Sequence, residues 1–273
     1  MKLIISNLSW DFNDNYKFIK IIKRYDINEI EISPSKIFTN NYNINNIEKI
    51  NAFWNKNKIS FCSIQSILFN KKNAFLFGNK IQQKLFFNEI KKKIYLSKKI
   101  GSKILVFGSH YNKKIFFKKN INIIAFNTFK KISKICEKNK IYFCVEANPK
   151  IYDCEYLNYT KEAIKLVKKI NSNFFRLNLD LGTIIANRES FKKIIKNNIQ
   201  LIGHVQISVP YLKDIMLHKK VVKKFIGQLK KNNYQRYISI ERLPIKNNLK
   251  NIEKTLKFIQ SCLKQKLLNC EKN

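Results

Sequence analysis

Short apolar runs recur along the chain, and each is bounded by polar or turn-forming residues. Eight of them have the length and the β-branched or aromatic composition that is typical of buried strands. They are Lys2 to Asn7, Glu29 to Ser33, Ile59 to Ile67, Lys103 to Gly108, Ile141 to Glu146, Phe174 to Asp180, Leu201 to Ile207 and Tyr237 to Glu241. The pattern therefore predicts eight β-strands.

The segments between these runs have the period of amphipathic helices. Apolar side chains step by three or four residues at Ala125, Phe129, Ile132 and Cys136, and again from Ile252 to Leu263. Alternating strands and helices predict βαβ units and a parallel sheet. Eight such units fit a closed (β/α)8 TIM barrel of the α/β class, and 273 residues suit one such barrel. We expect a single domain over residues 1–273.

Carboxylates stand at the exits of three predicted strands, at Glu146, Asp180 and Glu241. In a barrel the strand exits meet on one rim. Because an unpaired buried charge is costly, acids that converge there need a cation or a proton. The pattern predicts a metal-dependent enzyme site. The alternative for each single acid is a helix N-cap or a partner for an arginine.

The composition adds a formal net charge of +36, with 54 Lys and Arg against 18 Asp and Glu. Clustered cations favour nucleic-acid binding. Here only five of the basic residues are arginine, and the lysines are spread along the whole chain. Abundant Lys, Asn, Ile and Phe together are also what A/T-rich codons encode. The charge is therefore explained without a ligand, and we disfavour a nucleic-acid partner.

Cysteine usage and hydropathy indicate the cytoplasm. The six cysteines make no C-x-x-C pair and no zinc-ribbon spacing, so reduced thiols are expected. No apolar run approaches the roughly 18 residues of a membrane span, and the first run is too short for a signal peptide. We expect a cytoplasmic protein without membrane association, and self-association stays open.

The segments around the strand exits resemble a known family, the xylose isomerase-like barrels, which include sugar and sugar-phosphate isomerases and epimerases and family 2 AP endonucleases. The resemblance spans nearly the whole chain. The similar segments are Ile30-Glu31-Ile32-Ser33-Pro34-Ser35-Lys36, Val145-Glu146-Ala147-Asn148-Pro149, Leu179-Asp180-Leu181-Gly182-Thr183, Gly203-His204-Val205-Gln206-Ile207-Ser208 and Ser239-Ile240-Glu241.

The resemblance implies one divalent cation, held by residues at the ends of the last four strands. In this chain those positions are Glu146, Asp180, Gln206 and Glu241. The ion would polarise a ketose carbonyl, while Glu146 and Glu241 move the proton next to it as catalytic acid and base. Oxygen ligands favour manganese or magnesium over zinc.

Two positions depart from the family. Its members usually read His-x-His-x-Ser-Glu on the seventh strand, whereas Gln206 stands at the ligand histidine here. An amide oxygen binds a transition metal more weakly than imidazole does. Thr183 replaces a histidine of the sugar epimerases.

Five further residues are candidates for substrate binding in a site of this kind. Lys36 could meet a phosphate, and Gln65 and Asn148 could meet hydroxyl groups. His110 follows the fourth strand, and His204 lies within the seventh, where a core or supporting role is the alternative.

The leading hypothesis is thus a metal-dependent sugar or sugar-phosphate isomerase or epimerase of carbohydrate metabolism. A second hypothesis is an AP endonuclease-like DNA-repair phosphodiesterase, which the positive charge suits. Its three-zinc site needs many histidines, and the chain has three. A third is a catalytically degenerate barrel that acts as a binding protein, which Gln206 favours.

Overall fold

A computed structural model describes residues 1–38, 44–117 and 119–265 of the protein. The strands within these ranges are β1 Lys2–Ser6, β2 Glu29–Ile32, β3 Ser60–Ile64, β4 Ile104–Phe107, β5 Tyr142–Val145, β6 Phe175–Asp180, β7 Ile202–Ile207 and β8 Tyr237–Ile240. The helices are α1 Asn15–Lys23, α2 Ile44–Lys56, α3 Lys80–Ile100, α4 Ile121–Asn139, α5 Thr160–Ile170, α6 Leu181–Ala186, α7 Phe191–Asn198, α8 Lys219–Lys231 and α9 Asn248–Lys264.

The strands form a closed ring. Each pairs in parallel with the next along the chain, and β8 pairs with β1 through Ile5 and Ile240 among others. The prediction of a (β/α)8 barrel is confirmed, and the predicted strand ends lie within three residues of the observed ones. Closure leaves no unpaired strand edge, and it brings all eight strand exits to one rim.

The main core lies between the barrel and its helices. On α4 the side chains of Ala125, Phe129, Ile132 and Cys136 are all buried, as their spacing predicts. Phe129 packs against Phe143 and Phe175 of the strands, with ring centroids 6.0 and 5.5 Å away. These contacts fix β5 and β6, the strands that end at two of the predicted site residues.

The interior of the barrel is different in character. One part of it is a small apolar cluster of Ile104, Val106 and Cys144. Elsewhere it is polar, with Glu31, His204 and Gln206 almost wholly buried. A polar interior just below the rim predicts that side chains there are held by hydrogen bonds, because unpaired polar groups are costly to bury.

Every cysteine except Cys270 lies within the described ranges, and each of these is buried with a free thiol. Within the described ranges, no helix is long and apolar enough to cross a membrane.

Candidate active site

A cavity of about 410 Å³ opens at the rim where the strands end. Glu146, Asp180 and Glu241 all line it. Asp180 is the last residue of β6, while Glu146 and Glu241 directly follow β5 and β8. The barrel thus brings three carboxylates, distant in sequence, to one cavity of a size that holds small ligands.

The Glu146 carboxylate is held by two amides. Its Oε1 accepts a hydrogen bond from Asn148 Nδ2, and its Oε2 accepts one from Asn178 Nδ2, both over 2.8 Å. Burial and the nearby Asp180 raise the pKa of Glu146 to about 8, against the lowering effects of Lys113 and the two amides. Its protonation therefore changes near neutral pH in the metal-free protein.

The Asp180 carboxylate has both oxygens engaged. Oδ1 accepts from the backbone N–H of Thr183 over 2.6 Å and so caps the N-terminus of α6. Oδ2 accepts from Ser208 Oγ over 2.5 Å. Burial raises the pKa of Asp180, and these hydrogen bonds oppose the rise. Asp180 is therefore the N-cap of α6, the alternative role considered for an acid at a strand end, and it lines the cavity as well.

The ionised form of the Glu241 carboxyl group is disfavoured by its surroundings. Burial raises its pKa well above the ordinary value, and Asp180, Glu146 and Glu31 raise it further, while a hydrogen bond with Gln65 opposes them. Burial and the neighbouring carboxylates therefore favour the protonated form of Glu241.

The three carboxylates fit a hard divalent cation in their chemistry. All three offer oxygen ligands. Burial and mutual repulsion raise the pKa values of Glu146 and Glu241, so a bound cation would stabilise their ionised forms. In the part of the chain that the structure describes, however, no three His, Cys, Asp or Glu side chains lie close enough together to hold an ion. Binding would therefore need the carboxylates to converge.

Gln206 does not line the cavity. Its Oε1 accepts from Asn178 Nδ2 over 2.6 Å, and its Nε2 donates to Glu31 Oε1 over 2.9 Å. Both ends of the amide are thus used inside the barrel. The same Asn178 amide also donates to Glu146, which lines the cavity. Asn178 therefore links Gln206 to Glu146 by hydrogen bonds.

Glu31 is the centre of this interior network. Its carboxylate accepts hydrogen bonds from the side chains of Ser63, Gln65, His204, Gln206 and Ser239. Burial would raise the pKa of Glu31, but the pairing with His204 and the hydrogen bonds outweigh it, so the pKa lies below the ordinary value. Glu31 is therefore a satisfied buried anion.

Irregular pairing accompanies two of these interior residues. The pairing of β2 with β3 shifts register between Ile30 and Glu31, and the pairing of β6 with β7 shifts between Leu177 and Asn178. Such irregularities re-aim the side chains that follow them. One shift stands immediately before Glu31, the centre of the network, and the other immediately before Asn178, which donates to Glu146.

Comparison with known proteins identifies the family. The sequence model of the family described as a xylose isomerase-like TIM barrel matches residues 19–262 of this chain. The chain belongs to this family. No curated protein matches it.

Solved structures share the fold of this xylose isomerase-like barrel. A D-psicose 3-epimerase from Clostridium cellulolyticum H10 with D-tagatose is 17% identical, with a TM-score of 0.73 over 96% of this chain and 97% of that one. A 3-keto-D-glucoside 4-epimerase from E. coli is 14% identical, with a TM-score of 0.75 over 96% and 100%. The IOLI protein with a binding zinc atom is 14% identical, with a TM-score of 0.69 over 96% of each chain.

The xylose isomerase-like barrel places three of the five candidate substrate-binding residues at the cavity. Gln65, His110 and Asn148 line it. His204 is wholly buried and pairs with Glu31 over 2.8 Å, below the cavity. Lys36 is not among the lining residues, because its Nζ pairs with Asp11 over 3.2 Å and reaches the carbonyl of Trp10.

Lys113 is a residue of the site that the sequence analysis did not single out. It is wholly buried, and its Nζ donates to the carbonyl of Glu146 over 3.0 Å and to Asn148 Oδ1 over 2.5 Å. Burial lowers its pKa, while Cys154 and Glu146 oppose the change. In a chain so rich in lysine, no sequence signal distinguishes this one from its exposed counterparts.

Aromatic residues at the mouth of the cavity were also missed. Phe69, Tyr152 and Tyr211 line it. The backbone N–H of Tyr211 donates to Tyr152 Oη over 2.9 Å, and the two rings meet edge to face at 5.4 Å. Tyr211 and Leu212 both have left-handed backbones, with φ of 61° and 52°. Such residues cost about 1–3 kcal/mol each and are frequent at functional sites.

Proposed function

We propose that this barrel is a sugar isomerase or epimerase that moves a proton next to a carbonyl group. The observation that carries the proposal is the pair of glutamates, Glu146 and Glu241, which face one cavity from strands on different sides of the ring. An acid and a base that flank a substrate can remove a proton and return one. Solved structures of the same fold include 3- and 4-epimerases of sugars, which supports the same class of reaction.

The surroundings of the two glutamates assign their roles. Glu146 receives two amide hydrogen bonds and lies near Lys113, all of which favour its ionised form. For Glu241, a hydrogen bond with Gln65 favours the ionised form, but burial and the nearby carboxylates raise its pKa well above the ordinary value. On these hydrogen bonds we assign Glu146 as the base and Glu241 as the acid.

The proton balance follows from these roles. Ionised Glu146 takes the proton from the carbon next to the ketose carbonyl, and the electron pair of that C–H bond moves toward the carbonyl oxygen. Protonated Glu241 then delivers its proton to the opposite face of the same carbon, and the electron pair returns from the oxygen to restore the original carbonyl. Alternatively, the proton goes to the former carbonyl carbon; the hydroxyl proton of the neighbouring carbon then passes to the other oxygen, and the carbonyl forms at that neighbouring carbon. The first outcome is epimerisation and the second is isomerisation. Exchange of both carboxyl groups with water restores the starting state.

Glu146, Asp180 and Glu241 would hold one divalent cation, with manganese or magnesium favoured over zinc by the oxygen donors. Bound there, the cation supplies Lewis acidity at the carbonyl oxygen. Gln206 is a weaker candidate for a ligand, because Glu31 and Asn178 already occupy its amide.

The test is deuterium uptake from heavy water into ketoses and ketose phosphates, with manganese or magnesium present. Wild type should exchange the proton next to the carbonyl, and Glu146→Gln and Glu241→Gln should each lose about a hundredfold to ten-thousandfold in rate. Glu137→Gln, an exposed change on α4, is the matched control and should retain the rate. Metal content is measured on every variant, because both glutamates are proposed ligands.

Absence of exchange across the whole panel in metal-loaded wild type would contradict the proposal. The degenerate, binding-only barrel would then be the better account.

A further inference from the structure

The buried Lys113 side chain is fixed by the fold around it. Lys113 directly follows Asn112, whose Nδ2 donates to the carbonyls of Lys71 and Ala74 over 3.0 and 2.6 Å, so its backbone is anchored to the loop after β3. At the other end, Lys113 Nζ lies 5.7 Å from the centroid of the buried Phe107 ring, a cation–π contact. The fold therefore sets the position of the ammonium group.

The ammonium group in turn sets the direction of the Asn148 side-chain amide. Lys113 Nζ donates to Asn148 Oδ1 over 2.5 Å, and the neighbouring Glu146 favours the charged form of Lys113 against the effect of burial. Because an ammonium group has donors and no acceptor, Asn148 turns its oxygen toward Lys113. Its Nδ2 then faces Glu146 Oε1 and donates to it over 2.8 Å. Turned over, the amide would aim its oxygen at the carboxylate instead.

Lys113 also holds the main chain of the same glutamate. Its Nζ donates to the carbonyl oxygen of Glu146 over 3.0 Å. One ammonium group thus contacts Glu146 at its backbone and, through Asn148, at its side chain. The two restraints limit both the position of the Glu146 backbone and the rotation of its carboxylate. A base that must reach one carbon atom of a bound substrate depends on both.

The second amide on Glu146 is oriented independently of Lys113. The ionised Glu31 carboxylate accepts from Gln206 Nε2, which leaves Gln206 Oε1 to accept from Asn178 Nδ2. The same Nδ2 donates to Glu146 Oε2 over 2.8 Å. Both amides therefore present donors to the carboxylate, and each direction is set by a buried charge, a cation on one side and an anion on the other. A change at Lys113 disturbs one amide and leaves the other in place.

From these contacts we propose that Lys113 is a positioning residue, which acts through Asn148 to hold the Glu146 carboxylate where it removes a proton from the substrate. The proposal rests on the proposed function, because it adds a residue to the machinery of the same reaction. Lys113 is not among the described residues that line the cavity, so it does not touch the substrate. Its role is to set the geometry of the base.

The geometry is tested separately from turnover, by crystal structures of two variants and of wild type. Lys113→Met replaces the ammonium group with an apolar chain of similar length, so the Asn148 amide loses the contact that directs it. The oxygens of the Glu146 carboxylate should then move by more than about 0.5 Å, the tolerance of a catalytic group. Lys114→Met, on the exposed neighbouring lysine, is the control and should leave the carboxylate in place.

The second measurement is the rate of deuterium exchange in the manganese-loaded protein. Lys113→Met should lower kcat about tenfold to a hundredfold, because a base misplaced by about 1 Å loses about that much, and KM should stay within about threefold. Lys114→Met should retain the wild-type kcat. Asn148→Leu should lower kcat by a factor similar to that of Lys113→Met. If Lys113 acts through Asn148, the double variant is no more than about threefold slower than the slower single variant, whereas independent roles would multiply the two losses.

A further variant keeps the test decisive if Lys113→Met does not fold. Asn148→Asp has the shape of the native side chain, and its carboxylate gives Lys113 a charged partner, so folding should be retained. It offers no N–H group to Glu146, so kcat should fall at least about tenfold. Retention of the wild-type rate in Asn148→Asp would overturn the proposal.

The outcomes separate the positioning role from the proposed function. Absence of exchange in wild type, together with a displaced Glu146 carboxylate in Lys113→Met, would contradict the activity and support the positioning role. Exchange that persists unchanged in Lys113→Met, or a carboxylate that keeps its wild-type place there, would overturn the positioning role and leave the activity standing.

Discussion

The side-chain amide of Gln206 donates a hydrogen bond from Nε2 to Oε1 of the buried Glu31 carboxylate over 2.9 Å. Its Oε1 accepts from Asn178, which also donates to Glu146. A residue at the family's metal-ligand position thus belongs to the interior network. The structure links Glu31 to the proposed base Glu146 through two neutral amides.

Removal of the Gln206 amide should destabilise the fold. Gln206→Leu leaves one Glu31 oxygen with fewer donors, and it also takes a partner from Asn178. We expect a loss of about 1–3 kcal/mol in the free energy of unfolding, measured by denaturant titration. Gln235→Leu, on an exposed glutamine, is the control and should change stability by less than about 0.5 kcal/mol.

Metal affinity distinguishes the two roles of Gln206. If the amide serves the interior network, Gln206→Leu changes the dissociation constant of manganese by less than about threefold, whereas Asp180→Asn weakens binding more than tenfold because a charged donor is lost. Calorimetric titration of both variants checks this. A loss with Gln206→Leu as large as with Asp180→Asn would make Gln206 a ligand.

The raised pKa of Glu146 predicts how stability depends on pH in the metal-free protein. Its pKa is about 8 in the folded state and ordinarily 4.5. Between these values the unfolded chain releases a proton that the folded chain keeps, so the free energy of unfolding falls as pH rises. Glu146→Gln should flatten this fall, and the exposed Glu137→Gln should not. Denaturant titrations across that pH range give the slopes, and equal slopes for wild type and Glu146→Gln would show that Glu146 titrates normally.

Gly108 lies against the proposed base. A Cβ atom there would meet Glu146 Oε2 at 2.6 Å, so Gly108→Ala should displace the carboxylate and lower the deuterium-exchange rate about tenfold to a hundredfold. Gly227→Ala is the control, because a Cβ there meets nothing within 4 Å. It lies within α8 and should stabilise the fold by about 0.5–1 kcal/mol without changing the rate. An unchanged rate in Gly108→Ala would mean that the carboxylate position is not critical.

The fold was predictable because strand exits and helix faces are local patterns. The apolar runs that end at Glu146, Asp180 and Glu241 each predict a strand from local sequence alone. The alternation of eight such strands with helices then predicts a closed barrel. That rule also predicts that the three acids share a rim, which is where the structure has them.

The side-chain partners were not predictable in the same way. Gln206 and His204 stand two residues apart on one strand, yet whether they face a metal or Glu31 depends on register shifts that no local pattern encodes. Glu31 carried a weak signal, as an acid in the middle of a buried apolar strand. Tyr211 carried none, because a left-handed backbone at a tyrosine is set by its surroundings.

The pairing of β1 with β8 has a consequence for folding. Glu241 directly follows a strand whose neighbour on one side is Lys2–Ser6, so its position depends on residues from nearly the opposite end of the chain. Contacts that close so long a loop form late, because the entropy of the loop must be overcome first. The cavity that Glu146 and Glu241 share therefore requires β8 to be paired with both of its neighbours, β7 and β1.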